Sequence, residues 1–139
     1  MSSFTSPLIV TPMPDGRKWK LLRPFTYHVG SRHSRHVIKV PKGFLTDFAS
    51  IPRTIEPLLA PWAKYNKAPI IHDFLYQTRE LSRRKADRIF LEAMRIDLRT
   101  HKTGNAVARL EWAAVRLFGW LAWHKKGRAQ NVARIAGIP

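Results

Sequence analysis

Cysteine is absent from this 139-residue chain, and acidic residues are scarce. Without cysteine there is no disulfide, no thiolate metal ligand and no cysteine nucleophile. Only nine Asp and Glu stand against 25 Lys and Arg, which gives a net charge of +16. Such a field attracts polyanions, so the composition favours nucleic acid, an anionic membrane surface or an acidic protein surface as partner. Solubility is the other explanation of the charge.

A long uninterrupted apolar run is also missing. The most apolar stretch, residues 106–123, contains Arg109, Glu111 and Arg116, so it does not predict a transmembrane span. Its tryptophans and the basic HKKGR that follows would suit an anionic membrane surface, whereas the alternative is a core helix with cations at its C-terminal end. The N-terminal sequence lacks the pattern of a secretory signal, so we expect a cytoplasmic location.

The pattern of residues changes along the chain in the way that an α+β protein requires. Residues 1–50 are rich in Val, Ile, Tyr, Phe and Thr and contain the turn PDG, which predicts short antiparallel strands. Residues 54–125 show helical periodicity, and a basic tail covers residues 125–139. We expect a single domain, 1–139, with a small N-terminal antiparallel sheet packed on a three- to four-helix cluster.

Two predicted central helices carry charged groups on faces that otherwise look apolar. Asp87 and Asp97 fall inside the apolar arc of the helix RRKADRIFLEAMRID, and a bare carboxylate there would cost several kcal/mol. The preceding helix presents His72 and Tyr76 on one face, at i and i+4. In an antiparallel hairpin centred near residues 79–80, His72 and Asp87 are equidistant from the turn. The sequence therefore predicts that they meet.

Two interpretations of this pair remain open. A buried hydrogen bond between His72 and Asp87 would fix the angle between the helices. Alternatively, Asp87 orients His72, which then acts as a general base on water or as a metal ligand, with Tyr76 in support.

The segment GFLTDFASIPR, residues 43–53, adds a second polar motif. Its Asp47 and Ser50 are typical of a helix cap or an Asx-turn. Alternatively, Asp47 joins His72 and Asp73 in a ligand set that could hold Ca²⁺, Mg²⁺ or Zn²⁺. Arg53 is a further candidate site residue, and Ser50 lacks the spacing of a nucleophile elbow.

These motifs resemble a family of short proteins from tailed phages and prophages whose function is unknown. The resemblance rests on three blocks in order: PKGFLTDFASIPR, HDFLY and the pattern R-x-x-A-D-x-x-F-x-x-A-M. It extends over about residues 38–120 and implies a phage or prophage origin. Phage structural proteins then become possible partners, and the location is the cytoplasm of a bacterial host or the virion.

The HDFLY block and the helix after it are also similar to the His–Asp helix pair of secreted phospholipases A2. That resemblance implies His72 as the base that activates water and Asp73 as a calcium ligand, with Tyr76 and Asp87 as hydrogen-bonding partners of the histidine. The chain departs from those enzymes in having no disulfides and no glycine-rich calcium loop.

Three functional hypotheses follow. The first is a small hydrolase-like protein with a His72–Asp87 centre and an optional divalent cation. The second is a non-enzymatic virion or assembly component, in which the pair locks the fold and the basic surface docks on a partner. A nucleic-acid-binding protein is the third, and no recognised binding motif accompanies the charge.

Overall fold

The computed structural model describes residues 3–4, 6–47, 67–98 and 104–135, with side chains on the last helix described as far as Lys125. Short strands occupy the N-terminal part and helices follow, so the predicted α+β class is confirmed. Ser50, Arg53 and the first part of the predicted helical region, residues 54–66, lie outside the described residues.

In the described residues, six strands form two antiparallel three-stranded sheets. Their bounds are β1 Ser3–Phe4, β2 Val10–Pro12, β3 Trp19–Leu21, β4 Phe25–His28, β5 Val37–Val40 and β6 Leu45–Thr46. The order is β1-β4-β5 in one sheet and β2-β3-β6 in the other. In β4, Phe25 and Tyr27 are buried and alternate with half-buried neighbours, because successive side chains point to opposite faces. This alternation directs the first sheet onto the helices.

Three helices make up the rest of the described chain: α1 Ala68–Thr78, α2 Arg83–Asp97 and α3 Gly104–Ile135. Proline in the first turn suits the start of α1, since its missing N–H has no intrahelical partner there. The Ser82 hydroxyl caps α2 by accepting from the backbone N–H of Lys85. Arg79 ends α1 in the left-handed conformation, φ 54°, and so turns the chain back towards α2.

The α3 helix extends further than the sequence predicts. It runs to Ile135, so the basic segment after residue 125 continues the same helix as far as the structure describes it. In the described part of the chain, no helix is long and apolar enough to span a membrane.

One core joins the sheets to the helices. The α1–α2 hairpin packs with α3, and buried residues of β4 and β5 belong to the same cluster. Glu92 of α2 adds a polar link, since its Oε1 accepts from the Tyr27 hydroxyl at 2.7 Å and from the Gly30 N–H at 2.9 Å. These two hydrogen bonds therefore attach the N-terminal strands to α2, whereas α1 and α3 pack against other residues of α2.

Candidate functional site

Asp87 lies at the centre of the helical layer and is completely buried. Its Oδ1 accepts from Nε2 of His72 at 2.8 Å and from the Tyr76 hydroxyl at 2.6 Å. Its Oδ2 accepts from Nη1 of Arg116 at 2.7 Å. We call these four residues the Asp87 cluster. All three helices contribute to it, so its geometry depends on the packing of the entire helical layer.

His72 and Tyr76 reach Asp87 because α1 and α2 form the antiparallel hairpin that the sequence predicts. His72 and Tyr76 are one turn apart on α1, and their rings lie 4.0 Å apart, centroid to centroid. Phe90 of α2 also contacts the imidazole, with ring centroids 4.5 Å apart. Two aromatic rings thus pack against the His72 ring, and its Nε2 lies within hydrogen-bond distance of the carboxylate.

Arg83 strengthens the connection between α2 and α3. Its guanidinium donates to the backbone carbonyls of Val115 at 2.9 Å and Arg116 at 2.6 Å. Its Nε lies 3.4 Å from the Tyr76 hydroxyl and 3.8 Å from Oδ2 of Asp87. Two guanidinium groups therefore surround the buried carboxylate.

Close approach of α3 to this cluster depends on Gly119. A Cβ at this position would stand 2.8 Å from the Tyr76 hydroxyl, closer than a normal contact. Glycine within a helix costs about 1 kcal/mol relative to alanine, and here it makes room for the phenol. With a larger residue at this position, either Tyr76 or α3 would have to shift.

The electrostatics of the cluster keep Asp87 ionised. Burial alone would raise the pKa of Asp87, but hydrogen bonds from His72, Tyr76 and Arg116 outweigh it, and the pKa lies below its ordinary value. Burial and the bond to Asp87 raise the pKa of Tyr76. Because an ionised carboxylate only accepts, Nε2 of His72 must be the donor. In the neutral imidazole the lone pair then belongs to Nδ1.

Two further predicted site residues, Asp47 and Asp73, lie within the described part of the chain. Asp73 is buried beside His72 on α1, and its Oδ2 accepts from the backbone N–H of Asp47 at 3.3 Å. Asp47 itself is exposed at the end of β6. Among the described residues, no three His, Asp or Glu side chains form a group that could hold a metal ion. The contact here joins a backbone amide to a carboxylate, and it draws the GFLTD segment onto α1.

A family of proteins of unknown function, DUF1353, matches residues 19–115, which is more than half of the chain. The chain belongs to the DUF1353 family. Neither a curated protein nor a solved structure matches it significantly. The matched region contains His72, Tyr76 and Asp87, and it ends one residue before Arg116.

This DUF1353 chain also places two further acids close enough to interact, the half-buried Asp97 and the buried Glu111. Oδ2 of Asp97 accepts from the N–H of Ala68 at 2.7 Å, so the carboxylate caps the start of α1. Glu111 of α3 is 2% exposed, and its Oε1 has no hydrogen-bond partner in the described structure. Burial raises the pKa of Asp97 to about 6. Burial, and then the charge of Asp97, raise the pKa of Glu111 to about 7.

Sequence reasoning missed several residues that matter in this DUF1353 chain: Arg83, Arg116, Gly119 and Glu111. Glycine inside a long helical pattern was the available signal for Gly119, since such a glycine often marks close packing. No comparable signal exists for Arg116, because one arginine among 25 basic residues does not stand out.

Proposed function

We propose that the chain is a small hydrolase-like protein in which His72 acts as a general base on water. The observation that carries the proposal is the bond from Nε2 of His72 to the ionised Asp87, which Tyr76 shares. A carboxylate in that position orients the ring, sets its tautomer and stabilises the imidazolium that forms. The resemblance of this hairpin to the His–Asp pair of phospholipases A2 supports the same role.

In the proposed reaction, Nδ1 of His72 takes a proton from a water molecule as the oxygen attacks an electrophilic carbon or phosphorus. The imidazolium then passes that proton to the leaving group, and Asp87 stays ionised throughout. His72 is only 3% exposed. The reaction therefore requires a path by which water and the scissile group reach Nδ1.

Replacing His72 by glutamine tests the proposal. Hydrolysis of a chromogenic carboxylic ester and of bis(p-nitrophenyl) phosphate should be measurable for the wild-type chain. His72→Gln should reduce the rate about 10²- to 10⁴-fold, because that is the usual contribution of a positioned general base. His124→Gln is a matched control, since His124 is exposed on α3 and should leave the rate unchanged.

A thermal melt of each variant separates lost chemistry from lost structure. Turnover that is equal in His72→Gln and wild type would contradict the proposal, and so would a folded wild-type chain with no activity on either substrate.

A divalent cation bound beside Asp73 belongs to the same proposal. Asp73 and Asp47 could contribute two oxygen ligands, with water or substrate supplying the others, and a bound cation would polarise the scissile group there. If one binds, Ca²⁺, Mg²⁺ or Zn²⁺ in large excess over its Kd should raise the Tm by several degrees. Asp73→Asn should abolish that shift, whereas Asp15→Asn, at an exposed turn, should not. An unchanged Tm with all three ions would contradict cation binding.

A second candidate function is a non-enzymatic component of a phage particle or of its assembly. It is favoured by the number of structural contacts that Asp87 makes, since one carboxylate joins α1, α2 and α3. The three motif blocks support a phage or prophage origin, with action in the bacterial cytoplasm or in the virion. Mass spectrometry of purified particles that contain the chain, combined with no turnover in the assay above, would favour this candidate.

A further inference from the structure

The α3 helix has a large apolar surface that is exposed in the described part of the structure. Five of its large hydrophobic side chains are between 48% and 67% exposed. They are Leu110, Leu117, Phe118, Trp120 and Leu121. Exposed apolar residues scattered singly are ordinary, but a continuous group on one helix marks an interaction site.

These side chains share one face of the helix. At 100° per residue they lie within an arc of about 160°, which we call the apolar face of α3. The opposite side carries Ala108, Glu111 and Val115, all of which are buried against the rest of the protein. The helix is therefore apolar on two sides, and only one of them is used by the core.

Charge restricts what can cover this face. Residues 104–135 contain six Lys and Arg, and Glu111 is their only acid. Glu111 is buried, whereas Arg109 and Lys125 are exposed beside the apolar face. The outer surface of α3 thus combines aromatic and aliphatic side chains with cations and carries no exposed carboxylate as far as Lys125, where side-chain description ends.

We propose that α3 binds in the plane of an anionic lipid surface, with its apolar face inserted among the acyl chains near the headgroups. A helix with Trp, Phe and Leu on one side and Lys or Arg beside them has the composition of an interfacial helix. At 32 residues the helix is about 48 Å long, and it would lie along the surface without crossing it.

Other occupants fit the charge less well. A second copy of the chain would bring another +16 against the first, and that repulsion opposes pairing through a basic helix. Nucleic acid would attract the cations but would leave the leucines and Phe118 in water. An anionic lipid surface can bind both the cations and the exposed apolar side chains of α3. This inference is independent of any chemistry at His72, because none of the five side chains belongs to the Asp87 cluster.

Co-sedimentation with vesicles tests the inference on the full chain. Binding to phosphatidylcholine vesicles containing phosphatidylglycerol should be strong at low salt, weaker at high salt and weakest with phosphatidylcholine alone. The double variant Leu117→Gln/Leu121→Gln should bind the anionic vesicles at least about tenfold more weakly, since two inserted leucines are lost. The matched control is Leu22→Gln/Leu45→Gln, which changes two exposed leucines outside α3 and should bind as the wild type does.

Circular dichroism should show all of these variants folded, because the substituted leucines are exposed. The inference is overturned by the absence of binding to anionic vesicles at low salt, or by equal losses in the two double variants. A dimer in analytical ultracentrifugation that Leu117→Gln/Leu121→Gln dissociates would assign the face to a second copy. Duplex DNA binding that the same variant abolishes, without vesicle binding by the wild type, would assign it to nucleic acid.

Discussion

Replacing Asp87 by asparagine should lower the free energy of unfolding by about 3–5 kcal/mol. The substitution keeps the shape of the side chain but places an amide where a carboxylate now accepts from three donors. One of those donors is the Arg116 guanidinium, which would face an uncharged group and in one amide orientation another donor. Urea unfolding at neutral pH measures the loss directly.

The control for this prediction is Asp15→Asn, which changes an exposed aspartate in a turn and should alter stability far less than Asp87→Asn does. The double variant Asp87→Asn/Arg116→Gln should regain part of the stability, because the arginine is no longer left without its carboxylate. A stability of Asp87→Asn equal to that of the wild type would show that the cluster does not hold the helices together.

In contrast to Asp87→Asn, the substitution Glu111→Gln should stabilise the protein at alkaline pH. Burial raises the pKa of Glu111 to about 7 from an ordinary 4.5, so between these values the folded state binds more protons than the unfolded state. Stability therefore falls as the pH rises through this window. Glu111→Gln removes the buried charge and should increase the free energy of unfolding at pH 8 by on the order of 2–3 kcal/mol.

The pH dependence of that gain is the decisive measurement. At about pH 4 the wild-type glutamate is protonated in the folded state and largely so in the unfolded state, so Glu111→Gln should differ little from wild type there. Glu80→Gln changes an exposed glutamate and should show no comparable gain at pH 8. A constant difference between Glu111→Gln and wild type from pH 4 to 8 would contradict the buried-acid explanation.

The ionisation of Asp87 changes stability with pH in the opposite sense to that of Glu111. The pKa of Asp87 lies below the ordinary value, so its contribution to stability is complete above the unfolded pKa and is lost as the pH falls through the folded pKa. Asp97, whose pKa is raised to about 6, acts in the same sense as Glu111. Asp97 and Glu111 lower the stability as the pH rises above their ordinary pKa values of 3.8 and 4.5, and Asp87 lowers it as the pH falls below 3.8. The three groups together therefore place the greatest stability near about pH 4.

Local patterns were sufficient to predict the α+β class and the meeting of His72 with Asp87. Both follow from periodicity and from a short turn, which are properties of neighbouring residues. The third helix could not be placed in this way. Arg116 and Gly119 reach the cluster because α3 packs against the hairpin in one register, and that register is decided by side chains far away in the sequence.

Glu111 is another residue whose surroundings could not be predicted from local patterns in the sequence. In the sequence, Glu111 interrupts an apolar stretch between two arginines, and its charge argues against a transmembrane span. In the structure it lies on the buried side of α3 and near Asp97, a residue of another helix. Periodicity assigns a residue to a face, but it does not say which element will cover that face.

Because three helices converge on Asp87, truncating the chain within α3 would remove part of the Asp87 cluster. The region shared with the DUF1353 family ends at residue 115, and Arg116 and Gly119 come immediately afterwards. A truncated fragment cut at that boundary would keep Asp87 and lose a guanidinium that neutralises it. We therefore expect a fragment of residues 19–115 to be less stable than the 139-residue chain.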